Sequence, residues 1–381
     1  MFDPSRPPVI LQVLPALVTG GVERGTIEIT EAIVRAGGTA LVTSGGGRLV
    51  PAIERAGGTH VTLPLATRDP CSIWLNGFRL ARLIRARQVD IVHARSRAPA
   101  WSAYMAARRT GTHFVTTYHG AYSENVPLKR RYNAVMAKGE RVIAISRFIA
   151  ALIEERHKVP PERIAVIPRG VDCAVFDPDA VSPDRLARLA RAWRLPDGAP
   201  TVTLPARLSR WKGQEVLIEA LALLSRRDVC AVLVGSDQGR TRYSAGLARL
   251  AERRGVGDRL RLAGETDDMP AAYMLSDVVV HASTDPEPFG RVVIEAQAMG
   301  RPVIATDHGA PVETVEQDVT GWRVPPGDPA ALARAIEHAL ALPEEARRAI
   351  GAQARAAVQA GYTTAAMQAA TIDVYRTVLG H

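Results

Sequence analysis

Residues 287–306 read EPFGRVVIEAQAMGRPVIAT: a Pro/Gly turn, an apolar-periodic helix, a Gly-Arg-Pro break and a buried strand. Pro288 and Gly290 prevent one continuous helix through the two acids of this stretch. The pattern therefore places Glu287 in a loop and Glu295 one turn inside a helix that begins near Arg291. Such a run from loop through helix to buried strand is the repeating unit of a parallel α/β sheet. The helix start leaves the backbone N–H groups of Phe289, Gly290 and Arg291 facing the same space as the acids, with the Phe289 side chain packing inward. Free N–H donors favour an anion and carboxylates accept hydroxyl protons, so the fitting ligand is part phosphate and part sugar. A nucleotide sugar answers that description.

The alternation continues on both sides. Upstream, VILQVLPAL (9–17) reads as a buried strand entering a Gly-rich turn and helix, TGGVERGTIEITEAIVRAGG (19–38). TALVTS (39–44), HVTLPL (60–65), DIVHARS (90–96), HFVTTYHG (113–120) and RVIAISR (141–147) read as further strands. Gly20, Gly21, Arg95, His119 and Ser146 fall at strand ends, where open α/β sheets bind ligands. After residues 163–180 come a Pro/Asp-rich stretch, a helix and LPDGAP, which is linker chemistry. A second series follows: TVTLPARLSRWKGQEVLIEAL (201–221), CAVLVGSD (230–237), RLRLAGE (259–265), VVVHAS (278–283), PVIATDHG (302–309) and GWRVPPGD (321–328). The expected architecture is two doubly wound Rossmann-like domains, residues 1–180 and 181–362. A final helix over 363–381 is expected to pack back onto the first domain.

Length and composition fit this. A chain of 381 residues exceeds what one core usually serves. Cys71, Cys173 and Cys230 are odd in number and far apart, which argues against disulfides and structural zinc. No apolar run is long enough for a membrane span and MFDPSRPP is no signal peptide, so a cytoplasmic protein is expected. The net charge of +9 lies wholly in the first half: residues 1–180 carry 24 Lys+Arg against 15 Asp+Glu, and the remainder 24 against 24. The cations concentrate at 79–88, 107–110, 128–141 and 147–158, mixed with Leu, Ile, Tyr and Phe at helical spacing. One reading is a set of solvated helix faces. The other is a surface for anionic lipid, at the inner face of the cytoplasmic membrane, or for a phosphorylated acceptor. Nucleic acid is not expected as a partner, since no nucleic-acid motif is present and aromatics are few.

ARLSRWKG, LVGSD, the run from Asp267 to Thr306 and GAPVETVEQDVTGWRVPPGDPAALARAI together resemble the C-terminal domain of retaining glycosyltransferases of the GT-B fold, family four. TGGVERG, TYHG, AISRFIA and VIPRGVD resemble the same family's first-domain signatures, in order. The resemblance implies two domains facing each other across a cleft that holds a nucleoside diphosphate sugar. It also implies Arg207 and Lys212 on the diphosphate, where two cations just after a strand offset the charge of the leaving group. Gly213 beside them would let the backbone approach phosphate. Glu295 matches the acid that accepts from the ribose hydroxyls, and Glu287, followed by Pro288, the acid near the transferred sugar. Gly235 would admit the nucleotide or serve as a turn glycine.

In the first domain the resemblance places Gly20 and Gly21 toward the donor and His119 toward the reacting sugar. Gly20-Gly21 is not a dinucleotide signature, because Val22, Glu23, Arg24 and Gly25 follow. His93 and His113 fit structural strand positions. Asp267-Asp268 reads as a helix cap, and no metal site is evident. The family needs no cofactor, so the implied requirement is a UDP- or GDP-sugar donor and a glycan or glycolipid acceptor, such as a lipopolysaccharide core. The segment AYSENVPLKRRYN (121–133) is a candidate acceptor loop. Two carboxylates would also equip a glycosidase, although a glycosidase has no diphosphate for Arg207 and Lys212 to hold. A nucleotide-sugar epimerase of the related two-lobed fold and a non-catalytic nucleotide-sugar-binding protein are the alternatives.

Overall fold

The computed structural model describes residues 2–3, 5–18, 20–122, 124 and 126–380. Thr19 of TGGVERG, and Ser123 and Asn125 of the candidate acceptor loop, lie outside the described residues. The chain divides into two units, Met1–Arg169 with Thr364–His381, and Gly170–Thr363.

Seven strands form the sheet of the first unit: β1 (Val9–Val13), β2 (Thr39–Ser44), β3 (Thr59–Thr62), β4 (Ile91–Ala94), β5 (His113–Tyr118), β6 (Arg141–Ala144) and β7 (Ile164–Val166). Their order is β3-β2-β1-β4-β5-β6-β7, with every pairing parallel. Helices cover such a sheet, so its central strands are buried on both faces and mostly apolar, as VILQV and IVHA are. Gln12 breaks the run on β1. It is buried, its Nε2 donates to Thr26 O and Thr30 Oγ1, and its Oε1 accepts from Arg95.

The last helix, Thr364–Leu379, belongs to this unit. Met367, Ile372 and Tyr375 share a core with Ile10, Ile29, Ile33, Ile91 and Val115. Tyr375 Oη lies 2.6 Å from His93 Nδ1, and His93 Nε2 lies 2.7 Å from Thr117 Oγ1, so both ring nitrogens of this buried histidine are satisfied. Ser146 caps the helix Arg147–His157, accepting from the Ile149 N–H at 3.1 Å.

The second unit repeats the plan with six strands: β8 (Thr201–Pro205), β9 (Cys230–Val234), β10 (Leu260–Gly264), β11 (Val278–His281), β12 (Val303–Thr306) and β13 (Trp322–Val324). They are ordered β10-β9-β8-β11-β12-β13 and are again all parallel. Leu204, Leu217, Ile218, Leu233, Val280 and Leu332 are nearly inaccessible and anchor its core. Each such side chain contributes about 1.5–3 kcal/mol by leaving water. In both units the chain order reverses beside the first strand, between β1 and β4 and between β8 and β11, and the carboxyl ends of those strands frame a crevice for ligands.

Candidate active site

Lys212 and Glu287 come from the two sides of the second switch point. Lys212 ends a short 3-10 turn (Arg210–Lys212) after β8, and Glu287 lies in the loop after β11. Gly213, at φ +74°, is what permits their meeting: a Cβ there would sit 1.8 Å from Ala282 O. Gly213 thus makes room for the backbone of its own unit. The Thr284 N–H donates to Trp211 O at 2.8 Å and fixes the same juxtaposition.

Lys212 Nζ donates to Glu287 Oε2 at 2.5 Å and lies 4.0 Å over the Trp211 ring. Ser283 Oγ donates to the same carboxylate oxygen at 3.0 Å, and His281 Nε2 lies 3.3 Å from it. Burial alone would raise the pKa of Glu287. The hydrogen bond from His281 and the Lys212 charge prevail and bring it down to about 2. The acid is therefore an anion across the physiological range, locked beside a cation. Gly309, at φ +68°, lets the chain close against the Glu287 backbone, whose carbonyl accepts from the Ala310 N–H at 2.9 Å.

The helix Arg291–Ala298 starts at Gly290, which is left-handed at φ +84°, so Glu295 stands one turn inside it as its sequence required. Glu295 is buried, accepting from Tyr273 Oη at 2.9 Å and lying 3.6 Å from Arg291 Nε. Phe289 is buried, its ring centroid 6.2 Å from that of Tyr362, which is the inward packing expected of it. Gly235 follows β9 at φ +150°, and a Cβ there would lie 2.1 Å from Ala206 O. Close approach of two loops thus explains this glycine without a ligand. Arg207 follows β8 but is exposed; its side chain reaches Gln238 Oε1 at 3.5 Å, and among the described residues it meets neither Lys212 nor the acids. Asp268 caps the helix Met269–Met274 through the Ala271 N–H at 3.1 Å and pairs with Arg185 at 2.6 Å.

In the first unit, Gly20 precedes the helix Gly21–Arg35 at φ +139°. His119 follows β5, and Arg169 Nη2 lies 2.6 Å from its Nδ1. Arg95, after β4, is buried and donates to Gln12 at 3.0 Å. Sequence reading assigned no part to His281, Ser283, Tyr273 or Arg169. The one signal available for His281 and Ser283 was their polarity at the carboxyl end of the apolar strand VVVHAS.

Two doubly wound sheets in one chain, the second carrying a lysine, two acids and a helix start at its switch point, define the GT-B architecture. A glycosyltransferase from Rickettsia africae ESF-5 superposes with a TM-score of 0.91 at 36% identity, over 98% of this chain and 99% of that one. The Anabaena protein Alr3699/HepE, solved with UDP-glucose, gives 0.84 at 25% identity over 97% and 99%. The family described as "Glycosyl transferases group 1" matches residues 187–357, and "Glycosyltransferase Family 4" matches residues 19–175. A D-inositol 3-phosphate glycosyltransferase of Salinispora tropica is 37% identical over 177 residues, 42% of this chain and 36% of that protein. The chain thus spans little more than a third of the length of that relative. The protein belongs to the group 1 glycosyltransferases of the GT-B fold.

Proposed function

We propose that the chain moves a sugar from a nucleoside diphosphate sugar to an acceptor hydroxyl, with retention at the anomeric carbon and without a metal ion. The observation that carries this reading is the partly buried Lys212–Glu287 pair beside the start of the helix Arg291–Ala298. It brings a cation, a hydroxyl acceptor and a helix N-terminus to one switch point. The UDP-glucose bound by the Anabaena neighbour supports the same ligand class.

In this mechanism Lys212 and Arg207 hold the diphosphate, Glu295 accepts from the ribose and Glu287 orients the transferred sugar. The bond from the anomeric carbon to the phosphate oxygen breaks as the bond to the acceptor oxygen forms on the same face. The acceptor proton passes to the leaving phosphate oxygen, whose charge the two cations offset. Those cations occupy the role that a divalent ion fills in other transferases. His119 is read as a contact of the transferred sugar, and Gly20 and Gly21 as contacts of the donor.

The acceptor is read as a glycan or glycolipid bearing anionic groups, lipopolysaccharide core among them. On the helix Pro70–Ala86, Trp74 and Phe78 are 51% and 41% exposed, with ring centroids 4.5 Å apart and the Arg109 guanidinium 4.2 Å over Phe78. Aromatic rings among arginines suit the interfacial zone of an anionic membrane.

The test is a screen of radiolabelled UDP-, GDP- and ADP-sugars for binding and slow hydrolysis in EDTA, followed by membrane extracts as acceptors. One nucleotide class is expected to turn over, with the anomeric configuration kept in the transferred product. A chain that hydrolyses and transfers none of them sinks the reading, and loss of turnover in EDTA sinks its metal-free part. Sedimentation with anionic vesicles, abolished by salt and by Trp74→Ala with Phe78→Ala, checks the membrane contact.

A further inference from the structure

The His119 ring is held by a partner that can only donate. A guanidinium carries five N–H groups and no acceptor, and it does not lose its proton in proteins. Arg169 Nη2 stands 2.6 Å from His119 Nδ1, so Nδ1 has to present its lone pair. A neutral imidazole that accepts at Nδ1 carries its hydrogen on Nε2, and an imidazolium, with hydrogens on both nitrogens, does not fit this contact. His119 Nε2 is buried and has no partner among the described residues. We infer that Arg169 is a positioning residue that fixes His119 as the neutral Nε2–H tautomer, a permanent hydrogen-bond donor to an oxygen of the transferred sugar. This deepens the proposed function and rests on the site role given there to His119.

The surroundings act in the same direction. Burial, then the charges of Arg169 and Arg95, then His93 hold the pKa of His119 well below its ordinary value. These neighbours come from the segments after β7 and β4 and from β4 itself, and the charge of Arg95 is in turn moderated by Glu28 on the helix Gly21–Arg35. An imidazole that stays neutral at working pH adds no positive charge beside Arg169 and Arg95 and does not donate its proton away. It offers one directed N–H.

The geometry also accounts for Gly25, the last glycine of TGGVERG. A Cβ at Gly25 would lie 2.5 Å from Arg169 Nη1 and 3.1 Å from Arg95 Nη2. The first helix is thus kept bare where the guanidinium passes. The obstructed atoms are tips of flexible side chains, so alanine at this position displaces Arg169 and not the backbone. Two substitutions on different elements therefore release the same ring: Arg169→Met removes the donor, and Gly25→Ala moves it while leaving its charge in the chain.

Nitrogen-15 spectra of the histidine rings, recorded on the full chain, test this directly, with the His119 signals assigned by their loss in His119→Gln. The wild type is expected to show His119 protonated at Nε2 alone from pH 5.5 to 8. In Arg169→Met and Gly25→Ala the ring is expected to titrate at higher pH, toward the ordinary value of about 6.5. Hydrolysis of the preferred nucleotide sugar should gain an acid limb in both variants, with kcat/KM about fourfold lower at pH 6 than at pH 8 for a ring of that pKa. Arg169→Lys, still a donor-only cation, should restore the flat profile. A wild-type ring protonated at Nδ1, or variants whose ring and rate titrate as in the wild type, overturns the inference. A fully active His119→Gln in a chain whose wild-type ring shows the Nε2–H form overturns the site role of His119 and leaves the lock standing.

Discussion

At the scale of single residues, the pairing of Lys212 with Glu287 bears on stability and, in the proposed mechanism, on chemistry. In the proposed mechanism Lys212→Ala removes the cation nearest the developing phosphate charge. Its kcat is expected to fall by about 10²–10³, the usual effect of losing one transition-state donor. Hydrolysis assays with saturating donor check this, and near-normal turnover would remove Lys212 from its assigned role. Glu287 has a folded pKa of about 2, below the ordinary carboxylate value, so it stabilises the fold fully only above the unfolded pKa. That contribution is lost as pH falls from about 4.5 toward 2. Glu287→Gln is expected to cost about 3 kcal/mol at pH 7, and the gap to the wild type should close on acidification through that window. Denaturant melts at pH 7 and near pH 2.5 measure it; an equal gap at both would show that the carboxylate charge is not what the site stabilises.

At the scale of elements, loops after neighbouring strands are fitted to each other by glycines at positive φ. Gly235 lies where a Cβ would be 2.1 Å from Ala206 O, a backbone atom that cannot swing away. Gly255 is also at positive φ, +68°, in the left-handed region that other residues can enter, with nothing within 4 Å. Gly255→Ala is therefore expected to cost about 1 kcal/mol, from backbone conformation alone. Gly235→Ala should cost about 3 kcal/mol or more, because steric overlap adds to it. Thermal unfolding of the two variants compares them, and equal losses would mean that the loops are free to part.

At the scale of the whole chain, the two units differ in what acid does to them. His60, His93, His119 and His157 of the first unit all have pKa values lowered, chiefly by burial. A histidine kept neutral by its fold contributes stability above the unfolded pKa of about 6.5 and loses it as pH falls toward the folded value. The first unit is expected to weaken from about pH 6.5 downward, while the second, which holds the Glu287 pair, weakens only below about pH 4.5. Calorimetry across pH 7.5 to 4 should show the transition of the first unit moving down ahead of the other. Coincident movement of both would refute the assignment.

What the sequence determined by itself was whatever local pattern carries: the parallel strands, whose apolar runs end in glycine or polar residues, and the helix start at Gly290 that separates Glu287 from Glu295. Lys212 and Glu287 were legible as candidates because each follows a buried strand within a recognisable motif. Only the tertiary structure decided which groups meet. His281 and Ser283 join Glu287 because β11 ends there, Arg207 turns to Gln238 instead of Lys212, and Gly213 receives a carbonyl oxygen of its own unit. Arg169 and His119 are fifty residues apart, and Gly25 matters to both only through the packing of the first helix. Periodicity reports the face an element buries, since that follows from its own repeat. The identity of an atom 2.6 Å away across a sheet depends on strand order and register, which no single segment encodes.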